Sequence, residues 1–391
     1  MARRRRRTRN ALTPLTDEEL RRTLRPRPAA RGVTEQIVNF SLMVPATQPP
    51  DVRVTQPVPS AARMVRYKGQ APARTRAFGI EISVRGADLG TRVFRPSVKG
   101  TRIDPTPVTR ESREAARLGL PSLDGFRPRH LPLQPIPPPV ERELRVRKFY
   151  EALPSRRARR LYQATTIFSP DNRYTFSDTS FPWCTLGRVT TAGGAGSGVL
   201  IGPRHLLTVS HIMVWNSDNS AGWIRFAPSY FDGDEPFGAA WGIHWYAYKK
   251  VVGPSLDVDE QRQDYVVVVL DTRLGDVCGW MGSRTYSDDW DGGKYWRHVG
   301  YPGDLAGGQR PSYERDIALD GVGADSDSHK RILHKGDVWP GQSGGPFFAW
   351  WSGEAWPRVV ADQSGQSASD NSAAGGSRLV NCIITARNDF P

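Results

Sequence analysis

Cysteine is scarce in this chain: Cys184, Cys278 and Cys382 are the only three in 391 residues. They allow at most one disulfide, by any of three pairings, which excludes a disulfide-stapled scaffold. None stands in a C-x-x-C or Cys/His ligand spacing, so no structural zinc is expected, and nothing in the sequence calls for another metal or cofactor. No apolar run is long enough to span a membrane. Met1 to Asn10 is basic, but Ala11 to Arg31 is polar and charged where the apolar core of a secretory signal would follow, so no export address is legible.

Tryptophan is missing from the whole front of the chain, all 12 residues lying at Trp183 or later. Proline runs the other way, with 20 of 32 before residue 161. Acidic residues are also sparse there: residues 1–160 hold 35 Lys and Arg against 14 Asp and Glu, leaving 19 against 26 for the remainder. The net +21 front and −7 back predict two regions that attract one another, less so in salt. A Pro-rich, Trp-free, charged stretch buries little apolar surface for its length. The back, rich in Trp, Tyr, Val and Gly, suits an all-β core. These shifts predict a basic Pro/Arg-rich segment over 1–165, read as a prosegment, ahead of a folded domain over 166–391.

Within the front segment, Gln36 to Val44 and Ala77 to Val84 read as strands set off by Pro and Gly. Leu131 to Val140, with Pro132, Pro135 and Pro137 to Pro139, reads as a stiff polyproline linker. Glu141 to Tyr162 reads as a helix interrupted at Pro154, ending in the basic cluster Ser155 to Arg160, a natural target for proteolytic processing. The six arginines between Ala2 and Asn10 carry no interleaved aromatics, so a solvated tail is favoured over a nucleic-acid or anionic-surface partner.

The chemistry lies in the back domain. Gly341-Gln342-Ser343-Gly344-Gly345-Pro346 offers a serine in a turn tight enough to aim the amides of Gly341 and Ser343 into one oxyanion hole. Such a serine needs a base. Val199 to Ile201, the turn at Gly202-Pro203 and Leu206 to Val209 form a hairpin that ends at His211, a position from which an imidazole can face a cleft. His205, in the turn, is expected to face solvent. The base in turn needs an acid, and Asp264 opens the wholly apolar run Tyr265 to Leu270, where a carboxylate is costly unless partnered. Asp257, Asp259, Asp271 and Asp276 read as surface residues. The order His211, Asp264, Ser343 is that of the two-barrel serine peptidases. The G-x-S-x-G pattern also suits an α/β-hydrolase, but that fold needs a histidine after the serine, and the last one here is His334.

With these residues in hand, the stretch from Thr166 to Pro391 resembles the trypsin-like serine peptidases, and more narrowly their glutamyl-endopeptidase (V8-like) branch. Gly300-Tyr301-Pro302-Gly303-Asp304 is similar to a GYPGD segment of that branch, and Thr166 to Arg173 to its mature N-terminus. The resemblance implies an all-β fold of two six-stranded antiparallel Greek-key barrels, chymotrypsin-like, with a C-terminal helix. It further implies a secreted enzyme that cleaves protein or peptide substrates; the oppositely charged front segment, read as the prosegment of a zymogen, is expected to pack on or mask the peptidase domain. Two departures stand out. Ile212 replaces the cysteine that usually follows the histidine, and Gln342 replaces the aspartate before the serine, so the buried ion pair to a freed α-amine is ruled out. For substrate binding, Asp337 lies six residues before Ser343, where an acid favours Arg or Lys at P1 but also occurs in relatives that prefer Glu, so it leaves P1 open. Gln363 falls in the strand where glutamyl specificity uses a histidine. A binding protein built on an inactive protease fold is the alternative, and it requires a broken triad.

Overall fold

The computed structural model describes residues 13–28, 100–103, 122–140, 167–168, 170–218, 220–253, 255–322, 328–367 and 369–391, and the backbone of 35–45, 62–66, 75–85, 92–94 and 98–99. The predicted helix over 141–162, its basic cluster and the arginine run lie outside the described residues.

Twelve strands in the back of the chain build two barrels. In chain order they are β1 (Leu186–Thr191), β2 (Gly194–Gly202), β3 (His205–Thr208), β4 (Ile224–Pro228), β5 (Ala240–Ala247), β6 (Val266–Leu270), β7 (Lys294–Gly300), β8 (Ser312–Gly321), β9 (Lys330–His334), β10 (Pro346–Ala349), β11 (Arg358–Gln366) and β12 (Asn371–Gly375). Hydrogen bonding closes β1-β2-β3-β6-β5-β4 into one antiparallel barrel. It closes β7-β8-β9-β12-β11-β10 into a second. Both barrels thus join their six strands in the same cyclic order, and the expected two-barrel architecture is the one observed. Closure leaves neither six-stranded sheet a free edge of its own.

Strand β6 shows why a continuous valine run suits this place. Val266, Val268 and Leu270 face one core cluster, while Val267 and Val269 face another shared with the C-terminal helix. Alternate side chains leave opposite faces of a strand, so a strand covered on both sides needs apolar residues throughout. The covering helix, Ser377–Asp389, buries Leu379, Val380, Cys382, Ile383 and Ala386 along one stripe. It also corrects the reading of His205. That residue is fully buried at the start of β3, its Nε2 3.0 Å from the carbonyl of Ala386, because the helix covers the hairpin end that sequence alone leaves open. All three cysteines are buried and free.

The front segment contributes more than its composition suggests. The backbone strands Glu35–Pro45 and Thr75–Arg85 pair antiparallel over their full length, matching the two predicted there. Val98–Arg102 adds to the first barrel, parallel to β5. The Leu131 to Val140 stretch is not a free linker: Leu131 and Leu133 are buried, Phe181 N–H donates to the Pro132 carbonyl, and Val140 N–H to that of Thr175. Proline fixes its extended shape, and the leucines between the prolines pin it to the barrels. Further upstream, Thr16 and Glu19 form a capping box that starts the helix Asp17–Thr23. Asp17 reaches Arg315 and, at 3.4 Å, the buried Arg297, and Leu20 is fully enclosed in the core. Leu20→Ala is therefore expected to destabilise the whole chain by about 2–5 kcal/mol, read as a lower urea midpoint; an unchanged midpoint would mean that this helix is not part of the cooperative fold.

Candidate active site

His211 sits in a single 3-10 turn, Ser210–Ile212, immediately after β3. Ser210, in the position before it, ties this turn to the next loop: its Oγ accepts from Val251 N–H at 2.9 Å and lies 3.2 Å from the Lys249 carbonyl. Asp264 ends the helix Val258–Gln263, itself started by an Asp257/Glu260 capping box, two residues before β6 begins. Ser343 comes from the second barrel, in the turn leading into β10.

The structure brings these three side chains together. His211 Nδ1 lies 2.6 Å from Asp264 Oδ2, and His211 Nε2 lies 3.2 Å from Ser343 Oγ. Asp264 is 0% exposed and accepts two more bonds, from the His211 amide at 2.9 Å and Ser364 Oγ at 2.7 Å. An ionised carboxylate only accepts, so the imidazole proton belongs on Nδ1 and the Nε2 lone pair faces the serine hydroxyl. Burial pushes the His211 pKa down, but the charge of Asp264 and its hydrogen bond outweigh that, and the net direction is upward from 6.5.

The loop before Ser343 is held by the first barrel. Ser197 in β2 donates its Oγ to the Gly341 carbonyl at 2.7 Å and its amide to the Ser343 carbonyl at 2.8 Å, and its Oγ accepts from Tyr301 N–H. With both carbonyls engaged there, the amides of Gly341 and Ser343 have no acceptor among the described residues. Gly341 has φ +103°, and a Cβ on it would come 2.3 Å from the Tyr301 carbonyl oxygen; Gly344, at φ +82°, would meet Ser197 O at 2.3 Å. Only glycine fits either place.

Ser197, Ser364 and Arg173, which reaches Gln342 as described below, were not legible as site residues. Ser197 lies in a Gly-rich stretch that reads as a loop yet forms a strand, and Ser364 directly follows the singled-out Gln363.

Neither proposed specificity residue is free to meet a substrate. Asp337 is buried, its two oxygens accepting the amides of Phe168 at 2.6 Å and Asn172 at 2.9 Å. The acid expected to attract a basic P1 side chain is thus engaged by the chain itself. Gln363 is also buried, with Oε1 2.9 Å from His334 Nε2 and its amide group donating to the Gly365 carbonyl. Among the four acids read as surface residues, Asp271 is in fact buried, accepting from Trp241 N–H and Thr272 Oγ1.

One further acid lies close by. Asp362 in β11 is fully buried, and among the described residues neither of its oxygens has a hydrogen-bond partner. Burial, reinforced by the charge of Asp264, pushes its carboxyl well above the usual range. A carboxyl that keeps its proton in the fold but loses it near pH 4 when unfolded makes the fold less stable as pH rises through that window. Asp362→Asn is expected to raise Tm at neutral pH, the gain shrinking toward pH 4. A gain equal at both pH values would contradict the assignment.

No family model matches the chain. It is 23% identical over 189 residues to the glutamyl endopeptidase of Bacillus licheniformis, covering 48% of this chain and 56% of that relative. The chain thus spans little more than half the length of the curated relative it matches. The chain is similar to the glutamyl endopeptidases. Among solved structures, a Glu endopeptidase in complex with MPD aligns at TM-score 0.45 and 18% identity over 57% of this chain and all of that one. The protease Anisep from Arthrobacter nicotinovorans aligns at 0.42 and 19% over 55% and 98%. Human heparin binding protein aligns at 0.41 and 12% over 56% and 97%. No helix among the described residues is long and apolar enough to cross a membrane.

Proposed function

We propose that this chain is a serine endopeptidase. The observation that carries the reading is the relay itself: Nε2 of His211 facing Ser343 Oγ at 3.2 Å while Nδ1 is committed to Asp264 at 2.6 Å. His211 takes the serine proton as Oγ attacks the peptide carbonyl, and Asp264 stabilises the imidazolium that forms. The Gly341 and Ser343 amides receive the oxyanion. His211 then gives the proton to the leaving amine, and the acyl-enzyme is hydrolysed by water activated in the same way. The peptidase unit is read as 166–391 and the front segment as a prosegment that packs on that unit and is processed near Ser155 to Arg160. Export from the cell is read from the resemblance alone.

The experiment is digestion of a defined peptide mixture with mass-spectrometric mapping of the cut sites. Cleavage that stops after fluorophosphonate treatment supports the reading, and absence of any cleavage counts against it. The residue preceding the cuts reports P1 preference directly, which neither Asp337 nor Gln363 now decides. The pH profile has a defined sign. His211 works as a base only when neutral, and Asp264 holds its pKa above the ordinary 6.5. The ratio kcat/KM is therefore expected to rise with pH through a midpoint above 6.5 and then level off. A midpoint below 6.5 would contradict this geometry.

A further inference from the structure

Just upstream of the first barrel, Phe168, Asn172 and Arg173 lie against the loop that carries Ser343, and one side chain makes the decisive contact. Arg173 is buried, and all five N–H directions of its guanidinium are used. Nε and Nη2 donate to Asp171 at 3.1 and 3.0 Å; Nη1 and Nη2 donate to Asp304 at 3.2 and 2.6 Å. The fifth bond, from Nη1, goes to Gln342 Oε1 at 2.9 Å, and Gln342 is the residue between the two glycine- and serine-borne amides of the oxyanion hole. The same Oε1 accepts from Trp339 N–H at 2.9 Å, which folds the loop back on itself. At the far end of that loop, Asp337 holds the amides of Phe168 and Asn172. The strand of chain before the barrel thus grips the oxyanion loop at both ends.

We propose that Arg173 is the positioning residue of this oxyanion loop, supplying from within the chain a fixed cation that needs no newly cut terminus. The inference rests on the serine-peptidase reading of the site. It also accounts for Gln342. One guanidinium already answers two carboxylates, Asp171 and Asp304, a net charge of −1, so a third carboxylate at 342 would add a second uncompensated charge to the cluster, whereas a neutral amide accepts the remaining N–H without adding one. Lysine cannot replace the planar five-donor fork.

The test uses the full chain and a peptide it cleaves. In Arg173→Gln, kcat is expected to fall by about 100-fold, as for a misplacement of about 1 Å at the reacting centre, while KM changes by less than about threefold. Affinity for a peptide aldehyde, which places an oxyanion in the hole, falls in parallel with kcat/KM. Arg173→Lys recovers only part of the loss. Gln342→Met separates the effect from a folding defect, because it leaves the guanidinium paired with both carboxylates; it is expected to show the same fall in kcat with a smaller loss of Tm than Arg173→Gln. A rise in KM at constant kcat, or aldehyde affinity that does not follow kcat/KM, overturns the assignment. If the unmodified chain is labelled by a fluorophosphonate at Ser343 and Arg173→Gln is labelled as fast, the Arg173 inference alone fails. If the unmodified chain is not labelled, the peptidase reading fails and the inference falls with it.

Discussion

Ser343→Ala is expected to lower kcat by about 10^6-fold, to the level that the oxyanion hole and substrate binding sustain without a nucleophile. The hydroxyl is half-buried in the cleft and faces Nε2 of His211 across 3.2 Å, while the loop around it is fixed by Ser197, Gly341 and Gly344. Removing one oxygen atom leaves that scaffold intact, so Tm is expected to stay close to the parent value. In the proposed mechanism the serine and histidine act as one unit, so the double variant His211→Ala/Ser343→Ala is expected to be no slower than either single one. Multiplicative losses would mean that the two act in separate steps. Steady-state kinetics on one peptide, with all three proteins, decide between these outcomes.

Asp264→Asn is the second large effect, expected at about 10^4-fold in kcat. The native carboxylate accepts from the His211 amide, His211 Nδ1 and Ser364 Oγ, and no donor is needed on the acid. An asparagine keeps the shape but turns one of its two heavy atoms into a donor. If the amide nitrogen faces Nδ1, the imidazole is held in the other tautomer, with its proton on Nε2 directed at the serine it should deprotonate. The loss arises from the proton's position rather than from stability. It is measured as a fall in kcat with the rings still in place, and a fall of less than about tenfold would show that Asp264 does not set the tautomer.

The three side chains of the relay were legible because each carries a strong local signal. A glycine-flanked serine opens an apolar strand, a histidine closes a hairpin, and an aspartate stands at the mouth of an unbroken valine run. Their supports have no such signal. Ser197 meets the Gly341 carbonyl 144 positions away and Ser364 meets Asp264 at a separation of 100, so only barrel closure brings them into range. His205 was misread for a related reason: its environment is made by Ala386, in a helix 181 positions further on. Asp337 shows the limit of counting back from the serine, since spacing gives a residue's place on the loop and not the groups that claim its oxygens.

The front segment shows what an average conceals. Its composition is rich in proline and charge, yet among the described residues Leu15, Leu20, Leu131 and Leu133 are buried in the core. The two barrels were expected from the resemblance carried by the site motifs, whereas the extended pieces that dock on them follow no period. Their positions are set by isolated leucines and by backbone bonds such as Leu15 N–H to the Trp350 carbonyl.

The central claim is that His211 activates Ser343, and fluorophosphonate labelling followed by peptide mapping tests it most directly. One adduct on Ser343 is expected in the unmodified chain, with labelling slowed at least about 1,000-fold in His211→Ala. An adduct on another serine, or labelling of Ser343 at the same rate without the imidazole, would contradict the account.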